Sequence, residues 1–133
     1  MNRDSNGYTF LFAASMVLVV ASTLAFTASS LKSLQEENVR KEKMQNILST
    51  IGIQTDRDQA ERIYKNHITG TLALDHLGNN DETVDAFQLK LNNEIKKPVK
   101  EQRFPLYKAV VDNINYYIIP LRGSGLWDAI WGY

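Results

Sequence analysis

The sequence contains no cysteine and only two histidines, which limits the metal sites that it can form. Protein zinc sites are built mainly from closely spaced cysteine thiolates and histidine nitrogens. His67 lies in a predicted helix, and His76 lies beyond a predicted break in the chain. We therefore predict no metal site and interpret His67 as a packed or half-exposed helix residue.

The sequence motifs of several large enzyme classes are also missing. There is no P-loop lysine pattern and no G-x-G-x-x-G after a strand. The stretch "GSGLW" is not a nucleophile elbow, and neither histidine has a clear relation to Ser124. The residues alone therefore predict no catalytic side chain and favour a binding domain.

The chain has no excess of either charge: 15 basic and 15 acidic residues give a net charge of zero. One segment is rich in basic side chains, but acidic ones are interleaved with them: Glu94, Lys96, Lys97, Lys100, Glu101 and Arg103. Nucleic-acid binding requires a basic face that neutralises phosphates. We predict a solvated loop here and no nucleic-acid partner.

Charged residues are absent from Ser5 to Leu31, where the sequence is mostly apolar or small. As a helix this stretch is roughly 40 Å long, enough to cross a hydrocarbon core of about 30 Å. A cleaved secretory signal usually has a shorter apolar region, of about 7–15 residues. We therefore predict that residues 1–31 contain one uncleaved transmembrane helix, with aromatic residues at one interface: Tyr8, Phe10 and Phe12.

The charge pattern alone leaves the orientation of this helix open. More basic residues follow the helix than precede it. Only Arg3 and the amino terminus carry positive charge before it. The positive-inside rule would then leave the soluble part in the cytoplasm, but long domains cross membranes despite such charges.

Residues 32–52 are predicted to continue as a helical stalk. The segment is rich in helix formers, and its apolar residues fall at the i, i+3, i+4, i+7 spacing of one helix face: Met44, Ile47, Leu48 and Ile51. Gly52 is predicted to end this helix.

Residues 53–133 are predicted to form an α+β region. A second helix should begin near Thr55 and Asp58 and end at Gly70. A strand should follow at Leu72 and Leu74, before a turn at 78–81. For "AFQLKL" we favour another strand, although a helix with Val84, Phe87, Leu91 and Ile95 on one face fits almost as well.

The last third of this region reads as paired strands. "LYKAVV" and "NYYIIPL" are rich in β-branched and aromatic residues and are separated by an Asp-Asn turn signal. Pro120 should mark a strand end or an edge strand because it has no amide proton to donate. The two glycines around Ser124 allow a sharp turn or a close approach to a ligand.

The order of these features resembles the C subunit of the sodium-translocating NADH:quinone oxidoreductase family. The closing stretch "YIIPLRGSGLWDAIWGY" carries most of the resemblance, and "ILSTIGI" supports it. The resemblance covers essentially the whole chain and only the N-terminal part of an intact family member. It implies an α+β fold, in which a transmembrane helix and a stalk precede a truncated mixed α/β flavin-binding-type domain that continues beyond Tyr133.

The resemblance also implies a function. In the family, electrons pass from NADH through several flavins to ubiquinone, coupled to sodium transport, and this subunit bears one covalent FMN. The resemblance further implies the bacterial inner membrane, a periplasmic soluble part and the other subunits of the complex as partners. The positions Gly123, Gly125, Leu126 and Trp127 would border the flavin, or would only turn the chain and fill its core.

One family motif is missing. The covalent FMN is attached to a threonine in S-G-A-T-x-[ST], and no threonine of this chain has that context. No attachment residue is assigned, and we expect little activity from this chain alone. The alternatives are the corresponding subunit of an ion-translocating ferredoxin:NAD oxidoreductase, or a cofactor-free membrane-tethered interaction protein. Contacts of the transmembrane helix with partner helices are predicted at small residues: Ala13, Ala14, Ala21 and Ser22.

Overall fold

The computed structural model describes residues 6–133, and its first element is the single long helix α1, Asn6–Thr50. The predicted transmembrane and stalk segments therefore belong to one helix, as expected. Arg3 and the amino terminus, on which the charge comparison partly depends, lie outside the described residues. The helix ends just before Gly52, whose φ of 81° is readily adopted only by glycine.

The apolar part of α1 is long and apolar enough to cross a membrane, and none of its most apolar window is buried inside the protein. Three hydroxyls along it bond to the backbone four residues earlier. Thr23 donates to the Val19 carbonyl at 2.8 Å, Thr27 to the Thr23 carbonyl at 2.9 Å and Ser30 to the Phe26 carbonyl at 2.9 Å. Such bonds satisfy polar side chains where lipid offers no partner.

Contacts divide the chain into two compact units, the first ending at Arg40 and the second being Lys41–Tyr133. The predicted boundaries 1–31, 32–52 and 53–133 remain a prediction. Within the second unit, the end of α1 contributes buried residues at the predicted helical spacing, namely Met44, Ile47 and Leu48.

The second helix, α2, covers Arg57–His67. The prediction that it continues to Gly70 is wrong, because strand β1 begins directly at Ile68. The predicted capping is also wrong. Asp56 is the N-cap and its side chain makes no capping hydrogen bond, while the Thr55 hydroxyl donates to the Asp56 carbonyl at 3.2 Å.

Three antiparallel strands form the main sheet, in the spatial order β1-β2-β3. They are β1 Ile68–Leu74, β2 Phe104–Val111 and β3 Ile114–Ile118. The predicted Asp-Asn turn joins β2 to β3, and both of its residues have positive φ, 50° at Asp112 and 62° at Asn113. This is the pattern of a two-residue type I′ hairpin, which suits the twist of the paired strands.

The core of the second unit lies where α1 and α2 pack on this sheet. β2 alternates strictly between buried and half-buried residues over Phe104–Val110, as expected for a strand with one face toward a core. The buried cluster comprises Met44, Ile47, Leu48, Ala60, Tyr64, Tyr107, Ala109 and Ile118.

The segment between β1 and β2 corrects two expectations. "AFQLKL" is not a strand: Ala86–Gln88 is a 3-10 turn, begun by the Asp85 carboxylate accepting a hydrogen bond from the Phe87 amide at 2.9 Å. The predicted solvated connection begins within the short helix α3, Leu91–Glu94, and Glu94 is buried. Both predictions fail because local polar hydrogen bonds set the conformation of this segment, and a pattern of hydrophobic residues does not indicate such bonds.

Beyond Pro120, which separates two strands as predicted, the chain forms a second sheet. This sheet is the hairpin of β4, Leu121–Ser124, and β5, Ala129–Gly132. Tyr133 follows β5 and packs against the core.

Candidate functional site

All four residues predicted to border a flavin lie on the β4–β5 hairpin. Gly123 is in β4, opposite Ile130. Gly125, Leu126 and Trp127 form the connecting loop, which is closed by a 2.9 Å hydrogen bond from the Gly125 amide to the Asp128 carbonyl. The hairpin therefore brings the predicted residues together at one end of a two-stranded ribbon.

Gly123 and Gly125 differ in whether their surroundings leave space for a side chain. A Cβ at Gly125 would lie 2.5 Å from the Asp128 carbonyl oxygen and 3.0 Å from Ile130 Cγ1. A Cβ at Gly123 would meet nothing within 4 Å. Glycine is therefore needed at 125 for the turn itself, which supports the structural interpretation of that position.

Leu126 and Trp127 form the most exposed apolar pair of this hairpin, at 92% and 95% exposure. Exposed large apolar side chains on a folded surface commonly mark an interaction site. No described side chain packs around them to form a concave pocket. The tip thus offers an apolar surface to a ligand or a partner without enclosing one.

A group of packed tyrosines, formed by Tyr64, Tyr107 and Tyr133, is not predicted from the sequence. The Tyr107 ring packs edge-on against the Tyr133 ring, with 6.4 Å between centroids. The hydroxyls of Tyr64 and Tyr107 are buried and have no hydrogen-bond partner among the described residues. Burial, reinforced by the neighbouring Tyr133, raises the pKa of both hydroxyls well above the ordinary value of 10.0.

A polar cluster holds the segment before β2. The Glu94 carboxylate accepts hydrogen bonds from Lys97 Nζ at 2.7 Å and from the Arg103 amide at 3.0 Å. Arg103 Nε also donates to Asp81 at 2.8 Å. Hydrogen bonds from Thr83 and Arg103 lower the pKa of Asp81 to about 2. Since these partners are internal to the fold, the cluster is structural.

Lys43 links the end of α1 to the 3-10 turn. Its ammonium donates to the Phe87 carbonyl and lies 4.6 Å from the centroid of the Phe87 ring. Burial lowers the pKa of Lys43, although Asp85 opposes that shift. The contact is a cation–π interaction between two packed elements.

The contacts predicted for FMN remain a prediction. The predicted glycines and apolar residues lie on an open hairpin, and the Arg122 side chain is the one cation within β4. No group of three or more potential metal ligands occurs in residues 6–133. His67 Nδ1 lies 2.9 Å from the Ile63 carbonyl of its own helix.

Together these features define a class: an α+β protein with one long N-terminal helix that can span a membrane, followed by two small antiparallel sheets. No family model matches the chain. It is 26% identical to the C subunit of the Na(+)-translocating NADH-quinone reductase of Yersinia pestis, over an alignment of 152 positions, gaps included, that covers 99% of this chain.

The structure is similar to the crystal structure of the C subunit of the Na(+)-translocating NADH-quinone reductase from Parabacteroides distasonis. The TM-score is 0.70 with 32% identity, over 77% of this chain. The chain is therefore homologous to the C subunit of the Na(+)-translocating NADH-quinone reductase over nearly its whole length. It spans about half the length of these relatives, 57% of the Yersinia protein and 49% of the Parabacteroides chain.

Proposed function

We propose that this chain is part of a membrane-anchored flavoprotein subunit of a sodium-pumping NADH:ubiquinone reductase. The similarity to the Yersinia pestis protein across 99% of the chain carries the proposal. The fold shared with the Parabacteroides protein supports it. The subunit would pass electrons between other carriers of the complex through FMN, and would not itself bind NADH.

In this proposal α1 anchors the subunit in the bacterial inner membrane. Its uncharged stretch has the length for one crossing. The unit Lys41–Tyr133 would lie in the periplasm, and the helix would contact other membrane subunits of the complex. An extended polar and charged domain is compatible with translocation, because the positive-inside rule weakens before long domains.

FMN would supply one- and two-electron redox chemistry to the subunit when it is bound. Of the predicted positions, Leu126 and Trp127 have exposed apolar surface that suits the edge or face of an aromatic ring. Gly123 leaves open space beside the backbone, so the strand can be approached closely. Gly125 has a structural role in the proposal: it allows the tight loop that positions Gly123, Leu126 and Trp127.

In-gel flavin fluorescence tests the proposal. An antibody raised against residues 41–133 locates the native polypeptide in membranes of the source cells after denaturing electrophoresis. We expect flavin fluorescence at the antibody-reactive band, because covalent FMN survives denaturation. The matched control is the 133-residue chain expressed alone, which lacks S-G-A-T-x-[ST] and should stay dark. An antibody-reactive native band without fluorescence would contradict the flavoprotein role.

A second candidate is a cofactor-free interaction protein tethered to the membrane. The observation that favours it is the near-complete exposure of Leu126 and Trp127 on a structured turn. A dark native band that still co-purifies with membrane proteins, and loses them on Trp127→Ala, would favour this function over electron transfer.

A further inference from the structure

Residues 90–100 present a basic surface that the sequence alone does not show. The acidic residue of this segment, Glu94, is buried and accepts a hydrogen bond from Lys97 Nζ at 2.7 Å. The other charged residues of the segment are lysines, and all of them are exposed: Lys90, Lys96 and Lys100. Every exposed charge in residues 90–100 is therefore positive.

The charged residues that follow this segment reduce its positive charge only in part. Glu101 is exposed and acidic, whereas the Arg103 side chain is paired with Asp81 at 2.8 Å. Four lysines and two glutamates give residues 90–101 a net charge of +2. A basic surface is thus retained locally, although the whole chain has no net charge.

The same segment exposes two apolar side chains. Ile95 is 51% exposed and Val99 is 62% exposed, and each is followed directly by a lysine. The backbone between them is held in place, because Gln102 Nε2 donates a hydrogen bond to the Lys97 carbonyl at 2.9 Å. Apolar and basic side chains are therefore exposed together on a structured segment.

We propose that residues 90–100 bind the anionic headgroups of a lipid bilayer, with Ile95 and Val99 entering the boundary between headgroups and acyl chains. Binding at this boundary increases with the apolar area buried and with the attraction of basic side chains to anionic lipid. Lysine suits it, because its alkyl chain lies against apolar groups while its ammonium stays in water. Each lysine near an anionic surface strengthens binding by about fivefold.

The charge and the apolar side chains favour a bilayer over an acidic protein because the same chain carries α1. This helix is long and apolar enough to cross a membrane. A membrane anchor keeps the basic segment at a high effective concentration of lipid, so weak attraction by a few lysines is sufficient. The inference rests on the membrane anchor of the proposed function, and it does not depend on FMN or on NADH oxidation.

Lipid quenching of a fluorescent probe at position 99 tests the inference, and the absence of native cysteine allows single labelling. The full chain with labelled Val99→Cys is reconstituted in phosphatidylcholine vesicles, with or without phosphatidylglycerol in both leaflets. Nitroxide-labelled lipids are the quenchers, and the symmetric bilayer makes the result independent of the orientation of α1. We expect several-fold stronger quenching with phosphatidylglycerol, and loss of this difference at high salt. The control Leu77→Cys, at an exposed loop residue, should show no such lipid dependence.

Charge reversal identifies the residues responsible. Lys96→Glu in the Val99→Cys chain should abolish the quenching that depends on phosphatidylglycerol. Lys65→Glu makes the same change at an exposed residue of α2 and should leave the quenching unchanged. Circular dichroism confirms that each variant is folded.

Three results would overturn lipid binding by this segment: quenching at 99 without phosphatidylglycerol, the same lipid dependence at 77, or equal losses in Lys96→Glu and Lys65→Glu. Absence of quenching in a chain that resists carbonate extraction would also overturn it and would favour an acidic protein surface as the partner. Release of the chain by carbonate would instead contradict the membrane anchor on which both proposals rest.

Discussion

Tyr107 and Tyr133 pack edge to face, with 6.4 Å between ring centroids, and join the last residue of the chain to the middle of the sheet. Tyr107 is fully buried, yet its hydroxyl has no hydrogen-bond partner in the described part of the chain. The ring thus contributes to packing while its hydroxyl carries an uncompensated loss of hydration.

Removing that hydroxyl should stabilise the second unit. An unsatisfied buried polar group costs about 1–3 kcal/mol, so Tyr107→Phe should raise the free energy of unfolding by about 1 kcal/mol. Urea unfolding followed by circular dichroism measures the change. The control is Tyr117→Phe at an exposed position, which should be neutral. A loss of stability in Tyr107→Phe would show that the hydroxyl has a partner.

The buried tyrosines also predict the alkaline limit of stability. Burial raises the pKa of Tyr64 and Tyr107 above the 10.0 that applies in the unfolded chain. Above pH 10 the unfolded state therefore releases protons that the folded state retains, and stability falls as pH rises. Below pH 10 this contribution is fully present. Phenolate absorbance of these two residues should appear only together with loss of the circular dichroism signal.

A variant without these two tyrosine hydroxyls tests whether they set the alkaline limit of stability. The double variant Tyr64→Phe and Tyr107→Phe should move the alkaline unfolding midpoint to higher pH. An unchanged midpoint would mean that other groups set the alkaline limit.

The buried carboxylate of Glu94 should be required for the segment that leads into β2. Glu94→Leu removes the acceptor for Lys97 Nζ and leaves the Arg103 amide unpaired. We expect a loss of about 1–3 kcal/mol in the free energy of unfolding. Glu101→Leu, at an exposed position nearby, is the control and should change it little. Equal effects of the two substitutions would argue against the buried hydrogen bonds.

The two hairpin glycines give a matched pair. Gly125→Ala places a Cβ against the Asp128 carbonyl, while Gly123→Ala has open space. We expect faster hydrogen exchange over residues 121–132 in Gly125→Ala, since such a clash costs about 1–3 kcal/mol locally. Gly123→Ala should leave exchange unchanged. If both variants exchange alike, the loop does not have the close Gly125–Asp128 contact.

The small residues of α1 are predicted to contact partner helices. Ala14→Leu or Ala21→Leu should reduce recovery of the other membrane subunits, because larger side chains hold the helices apart. Val17→Leu, which changes little in size, serves as the control. Quantitative mass spectrometry of affinity-purified membranes measures the recovery. Full recovery with both Ala variants would place the contact elsewhere on the helix.

The elements that could be predicted from sequence are those with long, consistent periodicity. The apolar stretch of α1 and its stalk positions at Met44, Ile47 and Leu48 follow one helical pattern and are observed. The β2–β3 hairpin follows because Asp and Asn tolerate the positive φ that its turn requires.

The misses come from polar contacts and short elements. "AFQLKL" alternates like a strand, but the Asp85 bond to the Phe87 amide turns the chain first. The burial of Glu94 depends on the Arg103 amide nine residues later, which no residue pattern indicates. The glycines around Ser124 predict a sharp turn or a close approach to a ligand, whereas the exposure of Trp127 can be seen only in the folded chain.

Immunocapture from solubilised membranes of the source cells tests the central claim most directly. An antibody against residues 41–133 recovers the native assembly, and NADH oxidation with a quinone acceptor is measured with and without Na⁺. The proposed function predicts that the captured material oxidises NADH and that Na⁺ stimulates the rate. Captured protein with no NADH:quinone activity, or with activity indifferent to Na⁺, would contradict it.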